Sequence, residues 1–150
     1  FRESEADLTW NPDHSLITFH GIPNRYIKEG DPYRKQCEET ASLLANKLNL
    51  KNTDWTLSFQ SRFGKEPWLE PYTEEVLEQL GGKAIKKLIT CCPGFTSDCL
   101  ETIDEIGREG LEQFNKGGGE EFHLTPCLND HPDWIQAMGT IVKEETNGWI

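Results

Sequence analysis

The sequence predicts an α/β domain built on a four-stranded parallel sheet with helices on both faces. Three observations carry this. Four short apolar or alternating segments are each followed by a stretch of helical periodicity. The connections between successive strands are long enough for helical crossovers, which parallel pairing requires. At 150 residues the chain is one domain's worth of sequence, enough to bury a sizeable core.

Each element follows in order. HSLITFH (14–20) reads as a buried strand, broken by Gly21 and Pro23. Asp31-Pro32 opens a helix, an acid ahead of proline at the first helical position, and the apolar spacing of Tyr33, Cys37, Ala41, Leu44 and Leu48 carries it to Leu50. DWTLSFQ (54–60) alternates Trp55, Leu57 and Phe59 on one face of a second strand. A helix from about Thr73 to Leu80 is ended by Gly81-Gly82. KKLITCC (86–92) is the third strand, and a third helix runs from about Ser97 to Asn115, stopped by the glycines at 117–119. EFHLTPC (121–127) is the fourth strand, with Pro126 at its margin, and a last helix starts after Asp130 and fades near Glu145.

Composition excludes several classes of function. A net charge of −11 argues against a nucleic-acid partner or an anionic membrane surface. Five Trp, seven Phe and three Tyr are too many aromatics for a disordered acidic tail. The longest apolar runs are about five residues, against the roughly 20 that a membrane helix needs. No signal-peptide pattern is visible, and five cysteines without framework spacing suggest reduced thiols in a cytoplasmic compartment. The only Met is Met138, so the sequence reads as a piece of a longer chain.

In a parallel sheet the ligand sits beyond the carboxyl ends of the strands. Those ends carry His20-Gly21-Ile22-Pro23, Gln60-Ser61-Arg62, Pro93-Gly94-Phe95-Thr96 and Leu128-Asn129. HGIP after the first strand is not a dinucleotide fingerprint, and neither a P-loop nor a G-x-S-x-G elbow occurs. Cys91 and Cys92 are neighbours in a strand, point to opposite faces, and read as small buried hydrophobes rather than metal ligands. His14, at the far end of its strand, is set aside. His20 closes an apolar strand at the ligand edge; taken alone it reads first as a hydrogen-bonded structural histidine and second as a ligand or base.

The third helix is the most informative. Glu101, Glu105 and Glu109 recur every four residues, stacked on an α-helix at intervals of roughly 6 Å. Each acid repels the next by about a few tenths of a kcal/mol, which a bound cation would offset. Against this, Leu100, Ile103, Ile106, Leu111 and Phe114 form the expected buried face and the acids lie nearly opposite, so periodicity alone favours a solvated face.

FHGIPNRYIKEGDPY (19–33), SFQSRFGKEPWLEPYT (58–73), CPGFTSDCLETIDEI (92–106) and GGEEFHLTPCLND (118–130) together resemble ferrochelatase, the enzyme that inserts ferrous iron into protoporphyrin IX. The resemblance covers nearly the whole chain from about Ser15. It implies a Rossmann-like, chelatase-type three-layer αβα domain: the second of two similar domains facing across a porphyrin cleft, with the N-terminal half absent. It matches His20 to the family's active-site histidine and Glu101 to its partner on the opposite wall, as iron ligand and proton acceptor in an order that stays open. Glu105 and Glu109 match acids that pass metal inward or protons outward. Ser61, Arg62 and Trp68 resemble porphyrin-contacting positions, with surface packing an equal alternative for Trp68. Cys99 stands where many members carry a second histidine. The resemblance implies ferrous iron as a substrate, no required cofactor and no iron–sulfur cluster. It leaves room for peripheral membrane contact by the full-length enzyme. A related tetrapyrrole chelatase and a non-catalytic acidic binding module are the alternatives.

Overall fold

The computed structural model describes residues 1–149. Strands β1 (His14–His20), β2 (Trp55–Gln60), β3 (Lys87–Cys91) and β4 (Glu121–Leu124) form one sheet in the order β2-β1-β3-β4, with every pair parallel. β1 is central and buried along six of its seven residues, as an interior parallel strand covered on both faces must be. Its side chains alternate between two cores. Ile17 and Phe19 join Cys37, Ala41, Phe59, Leu69 and Cys91 on one face, under the helix that spans Tyr33–Leu48. Leu16 joins Val76, Leu77, Leu80, Leu88 and Phe114 on the other. Three layers result.

The helices are α1 (Arg2–Ala6), α2 (Asn24–Lys28), α3 (Tyr33–Leu48), α4 (Thr73–Gly82), α5 (Leu100–Thr102), α6 (Leu111–Gly117) and α7 (Pro132–Glu145), with a π-helix over Ile103–Gly110 joining α5 to α6. Asp31 accepts the Tyr33 N–H at 2.8 Å at the start of α3, and Asn49 in the left-handed region (φ 60) stops it just short of the expected Leu50. Thr73 opens α4 and its hydroxyl lies 2.8 Å from both the Thr18 and Ser58 hydroxyls. This buried trio anchors α4 to the two strands that end at the site. Among the described residues no helix is long and apolar enough to cross a membrane.

Three expectations need correcting. The short α1 and α2 carry too few residues to show a helical period, and the sequence reading has neither. The third helix begins at Leu100 rather than Ser97 and is not uniformly α. In its π segment a residue four positions on falls short of a full turn by about as much as it overshoots one in an α-helix, and Glu101, Glu105 and Glu109 line the same cleft. Its expected apolar face also divides: Ile106 and Phe114 are buried, whereas Leu100 and Ile103 are 71% and 62% exposed.

The glycines read as helix stops do more than stop helices. Gly118 adopts φ 106 and does end α6. Gly81 lies inside α4, where a Cβ would stand 2.6 Å from the Phe114 carbonyl oxygen, and a Cβ on Gly117 would stand 2.2 Å from that of Glu78. α4 and α6 therefore meet backbone to backbone.

Candidate active site

The first wall of the site is the end of β1. His20 is half-buried, with Nδ1 2.6 Å from the Gly21 carbonyl oxygen. A carbonyl can only accept, so Nδ1 carries a hydrogen, and in the neutral form of the ring the lone pair is on Nε2. The Tyr33 hydroxyl donates to the His20 carbonyl at 2.8 Å and pins the strand end to α3. Burial pushes the Tyr33 phenol well above its ordinary range, so it stays a donor.

Aromatic rings surround the imidazole. Phe63, Trp68 and Phe95 have centroids 6.5, 6.2 and 6.3 Å from it, and Phe63 meets Trp68 edge-on at 5.9 Å. Trp68 is brought there by backbone strapping: Asn24 N–H donates to Pro67 O at 2.9 Å and Leu69 N–H to Ile22 O at 3.0 Å, with an antiparallel bridge between Pro23 and Trp68. Gly21 permits the approach, since a Cβ there would lie 3.3 Å from the Trp68 ring. Phe63 is 65% exposed and presents an apolar surface beside His20.

The second wall is acidic. A cleft of about 380 Å³ is lined by residues that include Ser61, Arg62, Phe63, Glu101, Glu105 and Glu109. His20 and Trp68 lie outside that lining, and Phe63 joins the two regions. The Glu101 carboxylate is held below the usual range by its own backbone N–H and then by the Cys99 side chain, with a smaller contribution from the charge of His20. Glu105 is clamped: the Ser61 N–H donates to Oε1 at 2.7 Å and the Ser61 hydroxyl to Oε2. Glu109 accepts from Arg108 at 3.0 Å, and Arg108 also binds Asp104 at 2.5 Å. Among the described residues no three His, Cys, Asp or Glu groups converge to hold a metal ion, so the three acids form a file of separate groups.

The sequence-predicted residues thus gather at one edge of the sheet, where Ser61 and Arg62 meet acids of their own chain. Ser61, at φ 64, directs both its donors to Glu105. Arg62 pairs with Glu74 and stacks 4.1 Å over the Tyr72 ring. Phe63 and Phe95 belong to no motif of their own; their place in loops after strand ends is the signal that the sequence offers.

The thiols behave as small hydrophobes. Burial pushes Cys91 up to about 12, Cys92 and Cys37 also up, and Cys127 to about 12 with Asp98 adding to it. At pH 8 a thiolate-seeking reagent is therefore expected to label native protein first at half-exposed Cys99. Cys91 and Cys92 should react at least about 100-fold more slowly than in denatured chain. Peptide mass spectrometry over a labelling time course checks this, and equal rates for Cys91 and Cys99 would contradict it.

Comparison with known proteins decides the family. A family model described as ferrochelatase matches residues 2–146. The chain belongs to the ferrochelatase family. It is 47% identical over 143 residues to a ferrochelatase of Brucella anthropi, covering 95% of this chain and 41% of that protein. It is 43% identical over 145 residues to a ferrochelatase of Rhizobium etli CIAT 652, covering 97% and 42%. This ferrochelatase-family chain thus spans about two fifths of the length of those curated relatives. A crystal structure described as a cobalamin (vitamin B12) biosynthesis CbiX protein from Marinobacter aquaeolei VT8 superposes with a TM-score of 0.53 at 15% identity, over 88% of this chain and 96% of that one. The likeness is one of fold, a Rossmann-like αβα domain on a parallel sheet.

Proposed function

We propose that the chain supplies one wall of a ferrochelatase active site, at which ferrous iron enters protoporphyrin IX, and that the opposite wall comes from the further length its relatives carry. The observation that carries this is His20: an imidazole whose Nδ1 is held by the Gly21 carbonyl and whose Nε2 is left open, ringed by Phe63, Trp68 and Phe95 beside an acid-lined cleft.

The chemistry suits these groups. Insertion forms bonds from iron to the four pyrrole nitrogens and releases two N–H protons. Two acceptors are needed, and His20 Nε2 and the ionised Glu101 are two. A carboxylate also favours the approaching dication as water is stripped from it. Iron is a substrate in this scheme and no resident cofactor is invoked. Exposed Phe63 and Leu100 offer apolar surface to a macrocycle, and we assign Trp68 to that wall. Arg62 lies on the cleft lining, where its guanidinium can exchange Glu74 for a propionate. Five free thiols suit a reducing cytoplasm.

Glu105 and Glu109 extend from Glu101 along the same rod, and we assign them to iron transit. In this role Ser61 governs Glu105. Ser61→Ala frees one carboxylate oxygen and is expected to change the KM for ferrous iron by about threefold to tenfold, with that for porphyrin nearly constant. Steady-state kinetics with each substrate varied separates the two; a change confined to porphyrin would return Ser61 to the porphyrin wall.

The function is tested by anaerobic ferrous iron insertion into protoporphyrin, followed by loss of porphyrin fluorescence, with this chain and with the family-length protein. Activity in the family-length protein alone is expected. Activity in neither would count against the ferrochelatase reading.

A further inference from the structure

Gln60, the last residue of β2, is 3% exposed, and both ends of its amide are engaged. Nε2 donates to the Glu101 carbonyl oxygen at 2.7 Å, and Oε1 accepts from the Cys92 thiol at 3.7 Å. The Gln60 carbonyl accepts the Gly21 N–H at 2.7 Å, and its Cα is paired in register with His20. One residue thus holds the backbone beside His20 and the backbone of Glu101. The second contact falls where α5 gives way to the π-helix. In an α-helix the Glu101 carbonyl would accept from the Glu105 N–H; here a donor from outside the helix reaches it.

We propose that Gln60 is a positioning residue of metal insertion, setting the spacing between His20 and Glu101 through the backbone of both. Its catalytic consequence rests on the ferrochelatase reading; its geometry does not. The chemistry at the two ends selects the amide. The carbonyl needs a donor and the thiol needs an acceptor, and glutamine has one of each. Methionine fills the same space with neither. Glutamate keeps the acceptor but turns a carboxylate oxygen toward the Glu101 carbonyl.

The test uses the family-length protein with Gln60→Met and, should that variant fail to fold, Gln60→Glu. Because a displacement of about 1 Å at a reacting group can cost up to about 100-fold, kcat is expected to fall by about 10- to 100-fold, with the KM for porphyrin within about threefold. Amides of residues 100–110 should exchange with solvent about tenfold faster, while those of β1 stay as in wild type. Wild-type kcat in the variants would overturn the proposal. So would a loss of kcat accompanied by faster exchange throughout the chain, which marks general destabilisation. If the unmodified protein inserts no iron, the ferrochelatase reading fails and the exchange result alone decides the geometry: unchanged exchange at 100–110 overturns the positioning role, and local acceleration upholds it.

Discussion

Replacing His20 by alanine in the family-length protein is expected to slow ferrous iron insertion by about 100- to 10,000-fold, the range a positioned acid–base group commands. The substitution removes the Nε2 lone pair and leaves the rest of the wall intact. The imidazole's own hydrogen bond is to the carbonyl of its neighbour, and the strand end is held separately through Tyr33. The fold should therefore survive, and porphyrin should still bind against Phe63 and Trp68. Fluorescence titration of porphyrin gives the affinity, and the anaerobic insertion assay gives the rate. Free imidazole added to His20→Ala should restore part of the activity by occupying the space between the rings. Wild-type turnover in the variant would remove His20 from the chemistry.

The largest effect on stability is expected at Gly117. A methyl group there would lie 2.2 Å from the Glu78 carbonyl oxygen, 2.9 Å from its carbonyl carbon and 3.1 Å from its Cα. All three are backbone atoms, so no side chain can rotate aside. α4 and α6 must separate, opening the packing of Leu77, Leu80 and Phe114 between them. Overpacking of this kind costs about 3 kcal/mol, at the upper end of its usual range. Urea denaturation of Gly117→Ala measures it as a lower midpoint. Gly81→Ala should behave alike, since its Cβ would stand 2.8 Å from the Gly117 carbonyl carbon. Helices already separated by one methyl accommodate the second at less cost, so the double variant should lose less than the two singles together. Full additivity would mean that the two glycines relieve separate contacts.

What could be read from the sequence follows a physical line. β1 shows itself as an apolar run because both its faces are buried, and its end at Gly21 then points to His20. Parallel topology placed Gln60-Ser61-Arg62 and Pro93-Gly94-Phe95 at the same edge. The tautomer of His20 was not legible, because it depends on one carbonyl's direction. Nor was the ring cluster, which draws on two loops far apart in sequence, those after β2 and β3. The π-helix escaped because a repeat of four fits either helix, and only the exposure of Leu100 and Ile103 tells them apart. Gly81 and Gly117 have the composition of helix stops; their closeness to another backbone leaves no local mark.

The strand order also shapes how this chain reaches its fold. Every pairing among the described strands is parallel, so they contain no hairpin to form early. β1 pairs with β2 across α3, and with β3 across everything from Gly21 to Lys86. Such distant pairings make for slow folding. Meanwhile HSLITFH, β-prone and free of proline, is open to the same segment on another molecule. The parallelism that collects His20, Gln60 and Cys92 at one edge therefore also leaves a β-prone segment open to self-association while the chain assembles.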